Sequence, residues 1–215
     1  MLRLAQIVRR AAGGAVAAGL LSFGAQAQDR LSALRLDQLT PEQQTMATML
    51  TTPPRNSQIN TGPFNAYARS PGLGILLLQV SDYVRFNSSL PPRLSEFAIL
   101  ITSRQWTQQY EFSAHYPLAI KGGLDPKIAN DLAAGKRPEG MKEDEAALYD
   151  FAMALYRDKN VTDEVYANTM AKLGEHGVVD AIAIMGYYDL VSMTLTTARA
   201  EPAKNGSPLL APLTR

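Results

Sequence analysis

Three times in this chain a residue suited to capping a helix is followed at once by proline, at Thr40-Pro41, Ser70-Pro71 and Asp125-Pro126, and Pro91-Pro92 opens a fourth run. Proline has no backbone N–H to lose at the first helical position, and its fixed φ already suits the helix, so each pair marks a helix start. Gln43, three residues after Thr40, completes a capping box and predicts a helix from Pro41 to about Leu50. Further helices are expected over "GLGILLLQVSDYVRF", "RLSEFAILITSRQW" and "KIANDLAAG". The segment "KEDEAALYDFAMALYRDK" runs from acidic to basic, as the helix dipole favours, Thr162 caps "DEVYANTMAKLG", and "HGVVDAIAIMGYYDLVSMTLTTAR" reads as a long final helix. No alternating apolar–polar run bounded by turn residues makes a strand. The expected fold class is all-α.

The chain's 215 residues, 46% hydrophobic and 19% charged, suffice for one domain with its own core. Its first 27 residues have arginines at 3, 9 and 10, an apolar run from Ala11 to Phe23, and Ala25 and Ala27 framing Gln26. That is the pattern of a signal peptide cleaved after Ala27; the competing reading is an uncleaved anchor, for which the apolar run is short. No second stretch reads as long and apolar enough to cross a membrane. The expected organisation is a signal peptide over 1–27, a helix and loop extension over 28–61, a helical domain over 62–200, and a loosely packed tail over 201–215. Export to the periplasm or beyond follows from that reading, with no membrane attachment after cleavage.

Removing the first segment takes three of the 21 basic residues and none of the 20 acidic ones, leaving a net charge of −2. Nucleic-acid binding, which needs a basic patch, is not expected. With no cysteine anywhere, disulfides, thiolate metal sites and cysteine redox chemistry are excluded. Neither a metal nor a tightly bound nucleotide cofactor is expected: the two histidines lack ligand spacing, and no glycine-rich phosphate loop follows a strand.

The residues able to carry chemistry gather between positions 96 and 115. Glu96 lies beside the apolar run 97–101, where burial would raise its pKa toward a useful range, although a solvent-facing position on an amphipathic helix is equally compatible with the spacing. Glu111 and His115 stand four apart, so on a helix they share a face and the carboxylate can orient the imidazole. A structural histidine is the bland alternative. Arg104 could hold a carboxylate, and Trp106 and Tyr110 could wall a pocket, with Gln108 nearby. The alternatives are a surface arginine and a core tryptophan. Of Tyr187 and Tyr188, one is expected to be buried. His176, at a helix junction, reads as a capping or surface residue.

"LPPRLSEFAILITSRQW", "QYEFSAHYPLAIKGGLDPKIANDLAAG" and "LGEHGVVDAIAIMGYYDLVSMTL" together resemble the carboxymuconolactone decarboxylase family, whose all-helical fold is shared with the alkyl hydroperoxidase D (AhpD) proteins. The resemblance covers about Gly62 to Arg199. It implies that Glu96 and His115 fall on the glutamate and histidine of the hydroperoxidase motif, while Gln108 and Glu111 stand where that motif has its two cysteines. Peroxidase activity is therefore not expected. The resemblance implies instead a lyase acting on a small carboxylated lactone or enol, with His115 as acid, Glu111 orienting it, Glu96 as a second relay, and Arg104, Trp106, Gln108, Tyr110 and Tyr187 contacting substrate. A non-catalytic ligand-binding oligomer is the second reading. The resemblance also implies a homo-oligomer, a trimer or hexamer, with "GLGILLLQV" and the final helix as candidate contact faces.

Overall fold

The computed structural model describes residues 29–202 and 204–213; the signal peptide expected over 1–27 lies outside them. Eight α-helices and no strand occur among the described residues: α1 (Pro41–Thr51), α2 (Phe64–Tyr67), α3 (Pro71–Phe86), α4 (Pro92–Gln105), α5 (Gln109–Lys121), α6 (Pro126–Ala133), α7 (Glu143–Met153) and α8 (Asp163–Ala198). The starts follow the local chemistry. Thr40 and Gln43 form the reciprocal capping box of α1, Asp125 caps α6 through the Lys127 N–H, and Thr162 caps α8 through the Val165 N–H. Ser70 makes no such bond at α3, where Pro71 alone marks the start. The break expected between two final helices is present at Gly174, whose φ of 72° and ψ of 170° kink α8.

α4 is the axis of the domain. Phe97 through Ile101 are all buried, and α5, α6, α7 and α8 pack around them. A smaller apolar cluster of Met46, Leu50, Ile59, Tyr67, Ala68 and Leu78 fastens α1 and α2 to α3. The short α2 is not among the helices expected from the sequence. Because four residues cannot sustain a helix alone, its stability comes from this packing.

α8 corrects one expectation: it has the length and apolar composition of a membrane span, with a mean hydropathy of 1.4 over an 18-residue window. Its apolar side chains are largely spent inside the domain, where Ala181, Ile184, Met185, Val191 and Leu195 are all buried. This is the composition of a helix packed on several sides.

Pro117 lies inside α5 and leaves the Ser113 carbonyl without its helical donor. The chain's last stretch supplies donors instead: Asn205 Nδ2 at 2.8 Å and Ser207 Oγ at 3.3 Å. Gln109 adds two ties, donating to the Pro208 carbonyl and accepting from the Leu210 N–H. The stretch read as a loose tail thus has no helix but is held to α5 by specific bonds.

Candidate functional site

α5 begins where the Gln108 side chain accepts from the Tyr110 N–H, and it places Glu111 in its first turn, where a carboxylate suits the positive end of the helix. One turn later His115 lies on the same face. Its Nε2 stands 2.9 Å from Glu111 Oε1, and its Nδ1 is 2.6 Å from Glu96 Oε2 on the neighbouring α4. The imidazole is thereby held between two carboxylates, with side-chain exposures of 7% for His115, 5% for Glu111 and 13% for Glu96. Glu96 occupies the partly buried alternative of the two its spacing allowed.

Burial alone would push the His115 pKa down, but the charges of Glu96 and Glu111, and their hydrogen bonding to the ring, outweigh it and raise the value to about 9. His115 is therefore an imidazolium at neutral pH. The edge of the ring meets Tyr188, with centroids 5.0 Å apart, and Tyr187 meets Tyr188 in the same edge-on manner at 5.3 Å. Both tyrosines are buried, where only one was expected, because α8 is enclosed on more than one side at this point. Burial pushes both hydroxyls up, that of Tyr188 well above its ordinary value, so neither is ionised at neutral pH.

Glu111 and His115 line a cavity of about 150 Å³, whose wall also includes Tyr110, Tyr187, Tyr188, Ser81, Arg55 and Arg85. That is the liquid volume of about five water molecules, enough for a small ring and too little for a lipid or a nucleotide. Gly62 shapes the wall. Its φ of 54° is left-handed, and a Cβ there would stand 2.9 Å from the Tyr110 hydroxyl oxygen. The cavity takes residues from both sides of the boundary expected at 61/62, since Arg55 and Thr61 belong to the extension.

Of the eight site residues expected from the sequence, the structure brings five together: Glu96, Glu111 and His115 in one cluster, with Tyr110 and Tyr187 on the wall of its cavity. The other three lie elsewhere. Arg104 is only 1% exposed and donates to the Leu132 carbonyl and the Thr107 hydroxyl, bracing α4 against the end of α6. Its guanidinium is committed to those partners, and it is not among the residues that line the cavity. Trp106 is 41% exposed and donates its indole N–H to Asp189 at 2.6 Å. Gln108 caps α5 and donates to Thr196. Both border a different, wider groove beside the chain's last residues, which holds none of the Glu96–His115–Glu111 cluster.

Sequence reasoning missed Arg55 and Arg85. Arg55 sits in a proline-rich loop, and Arg85 in the last turn of α3 looks like an ordinary partner for the helix dipole. The one signal for Arg85 was its being the only basic residue of a largely apolar helix. His176 is a surface residue, 3.0 Å from the Tyr83 hydroxyl.

No protein-family model and no curated protein matches the sequence. Solved structures do match the fold. The alkylhydroperoxidase AhpD core of an uncharacterized peroxidase-related protein from Ralstonia eutropha JMP134 superposes with a TM-score of 0.67 at 15% identity, over 82% of this chain and 93% of that one. An uncharacterized peroxidase-related protein from Silicibacter sp. TM1040 gives 0.66 at 16%, over 84% and 96%. The debrominase Bmp8 gives 0.65 at 12%, over 83% and 95%, and its cysteine-to-alanine variant in complex with 2,3,4-tribromopyrrole gives 0.61 at 15%, over 82% and 93%. At such identities the likeness carries the architecture alone. The chain has the all-α AhpD-like fold.

Proposed function

We propose that this protein is an exported acid–base enzyme of the carboxymuconolactone decarboxylase type, acting on a small carboxylated lactone or enol. The observation that carries the reading is the buried His115 imidazolium, held by Glu96 and Glu111 on the wall of a cavity sized for one small ring. In such a reaction the bond from a ring carbon to a carboxylate breaks and carbon dioxide leaves. The electron pair passes through the ring double bond to the lactone carbonyl oxygen, and the resulting enolate takes a proton on carbon. Tyrosine hydroxyls on the cavity wall favour that negative oxygen as hydrogen-bond donors.

The geometry favours a particular division of labour. Glu96, at Nδ1 and off the cavity wall, positions the ring and stabilises its charge. His115 Nε2 and Glu111, both on the wall, form the pair that hands over the proton. That a protein of the same fold, debrominase Bmp8, is seen with 2,3,4-tribromopyrrole supports a five-membered ring as the occupant. Peroxide reduction by thiols has no support, since the chain has no cysteine to attack peroxide or form a disulfide.

A homo-oligomer is part of the proposal. Leu73, Leu76 and Val80 stand in an exposed row on α3, and Val179, Ile182 and Met193 stand in another on α8. Apolar rows of this kind favour burial against further copies of the chain. The deciding test is carbon dioxide release from 4-carboxymuconolactone by the purified protein and by His115→Ala. Release that disappears in the variant is the expected result; release unchanged by the substitution removes His115 from the chemistry, and no release by the wild type removes this substrate.

A further inference from the structure

The charges around the cavity are unevenly committed. Arg55, with only 3% of its side chain exposed, is pinned to Asp82 at 2.5 Å, and its guanidinium lies 5.6 Å from the centroids of both Phe64 and Phe86. Arg85 lies 5.1 Å from the same Phe86 ring, yet it makes no ion pair and no side-chain hydrogen bond among the described residues, and its Nε is buried without a partner. Two guanidinium groups thus flank one aromatic ring with one carboxylate between them. These groups carry an excess of one positive charge, and an unpaired buried donor on a cation is costly unless something fills it. Glu96, Glu111 and the His115 imidazolium sum to one negative charge. The wall thus carries both signs of charge, and a ligand entering the cavity meets a spare cation and proton chemistry on the same wall.

We propose that Arg85 is the anchor of this cavity, binding a carboxylate that the small ring ligand keeps throughout the reaction, while the ring itself is presented to His115 and Glu111. Arg55 is the lesser partner, because Asp82 already takes its Nε and Nη2 donors. No charged or hydrogen-bonding group among the described residues engages Arg85, and its Nη1 and Nη2, unlike the buried Nε, are open, which suits a planar carboxylate. Held there, the ligand is oriented by charge rather than by shape, so both substrate and product compete for the same guanidinium. The proposal rests on the acid–base reading of the site for the ligand's second contact, but anchoring itself is an equilibrium property and is measured without turnover.

The test is calorimetric titration of the full chain with furan-2-carboxylate and with its neutral isostere, furan-2-carboxamide. The carboxylate is expected to bind about tenfold or more tightly than the amide, in line with a charge-assisted bidentate pair. Arg85→Gln lowers carboxylate binding to the level of the amide and leaves amide binding unchanged, Arg85→Lys restores part of the preference, and Arg104→Gln, remote from the cavity, keeps all of it. His115→Gln, which removes the proton donor, retains the Arg85-dependent preference. Equal binding of the two compounds by the wild type, a preference that survives Arg85→Gln, or no carboxylate binding at millimolar concentration overturns the anchor. Loss of the acid–base reading looks different: the preference stands, and no ring compound is turned over.

Discussion

Two cations are buried in this domain within a dozen residues of one another in sequence, and the protein treats them in opposite ways. Arg104, on α4, is surrounded by dipoles only: a backbone carbonyl on Nε, a threonine hydroxyl on Nη1, and nothing on Nη2. Burial lowers its pKa, and no carboxylate offsets that. His115, on α5, is clamped by two carboxylates that more than cancel its own burial. The first arrangement braces the end of α4 against α6. The second stores a proton beside an open space. A buried charge compensated by neutral dipoles is a strut, whereas one compensated by ionised partners next to a cavity can exchange its proton with a guest.

The sharpest way to break this contrast is to remove each cation in turn. His115→Ala leaves Glu96 and Glu111 buried together with nothing between them, and a broken buried pair costs about 3–5 kcal/mol. Arg104→Met exposes the Leu132 carbonyl to loss of its donor but also removes an uncompensated buried charge, so the net loss is about 1 kcal/mol. Urea denaturation at neutral pH reads both. Turnover, where a substrate is in hand, is expected to vanish in the first variant and persist in the second. Equal destabilisation by the two would mean that the carboxylates do not hold His115 more firmly than dipoles hold Arg104.

The same contrast shows where the sequence was legible. The Glu111–His115 pair could be read directly, because four residues on a helix bring two side chains onto one face. Glu96, 19 residues before His115, stood out for the apolar run beside it, but its association with His115 entered only through the family resemblance, since no local rule relates positions on two different helices. Arg104 was read as a carboxylate holder or a surface charge and is neither, because spacing along α4 does not tell that its guanidinium meets the end of α6. Trp106 and Gln108 fall at the junction of α4 and α5, where the side chains are used to cap α5 and reach α8. Arg55 and Arg85 reach the cavity by packing of the extension onto α3, a tertiary fact that periodicity does not encode. The helix starts were the most legible feature, because Thr40, Asp125 and Thr162 act within their own first turns.

A second difference between the two cations is in their response to pH. The folded His115 pKa of about 9 lies above its ordinary value of 6.5, so folding favours the protonated form. Its contribution is complete below pH 6.5 and is lost as pH rises through 9. A shift of that size corresponds to stability on the order of 3 kcal/mol. Thermal unfolding of the wild type is expected to show a falling Tm across this window, and His115→Gln is expected to flatten that part of the profile. Arg104→Met is expected to leave the slope as it is, since a guanidinium does not titrate there. A wild-type profile with the same slope as that of His115→Gln would show that His115 is neutral in the folded protein.

The finest comparison uses two glycines, one at each site. Gly135 has a φ of 77°, and a Cβ there would stand 2.8 Å from the Arg104 Nη2; Gly62 has a φ of 54° and would press the Tyr110 hydroxyl at 2.9 Å. Both alanine variants incur the left-handed strain of about 1–2 kcal/mol. They differ in what must give way. Arg104 is buried and tied at two nitrogens, so Gly135→Ala is expected at the upper end of that range, with ligand binding unaffected. The Tyr110 hydroxyl is the free end of a ring on the cavity wall and can yield, so Gly62→Ala is expected at the lower end of the range. Its displaced ring then takes up room in a cavity of only about 150 Å³, and furan-2-carboxylate binding is expected to weaken several-fold. A Gly62→Ala protein that binds this ring as well as the wild type would mean that Tyr110 moves outward, and that the wall it forms does not set the size of the guest.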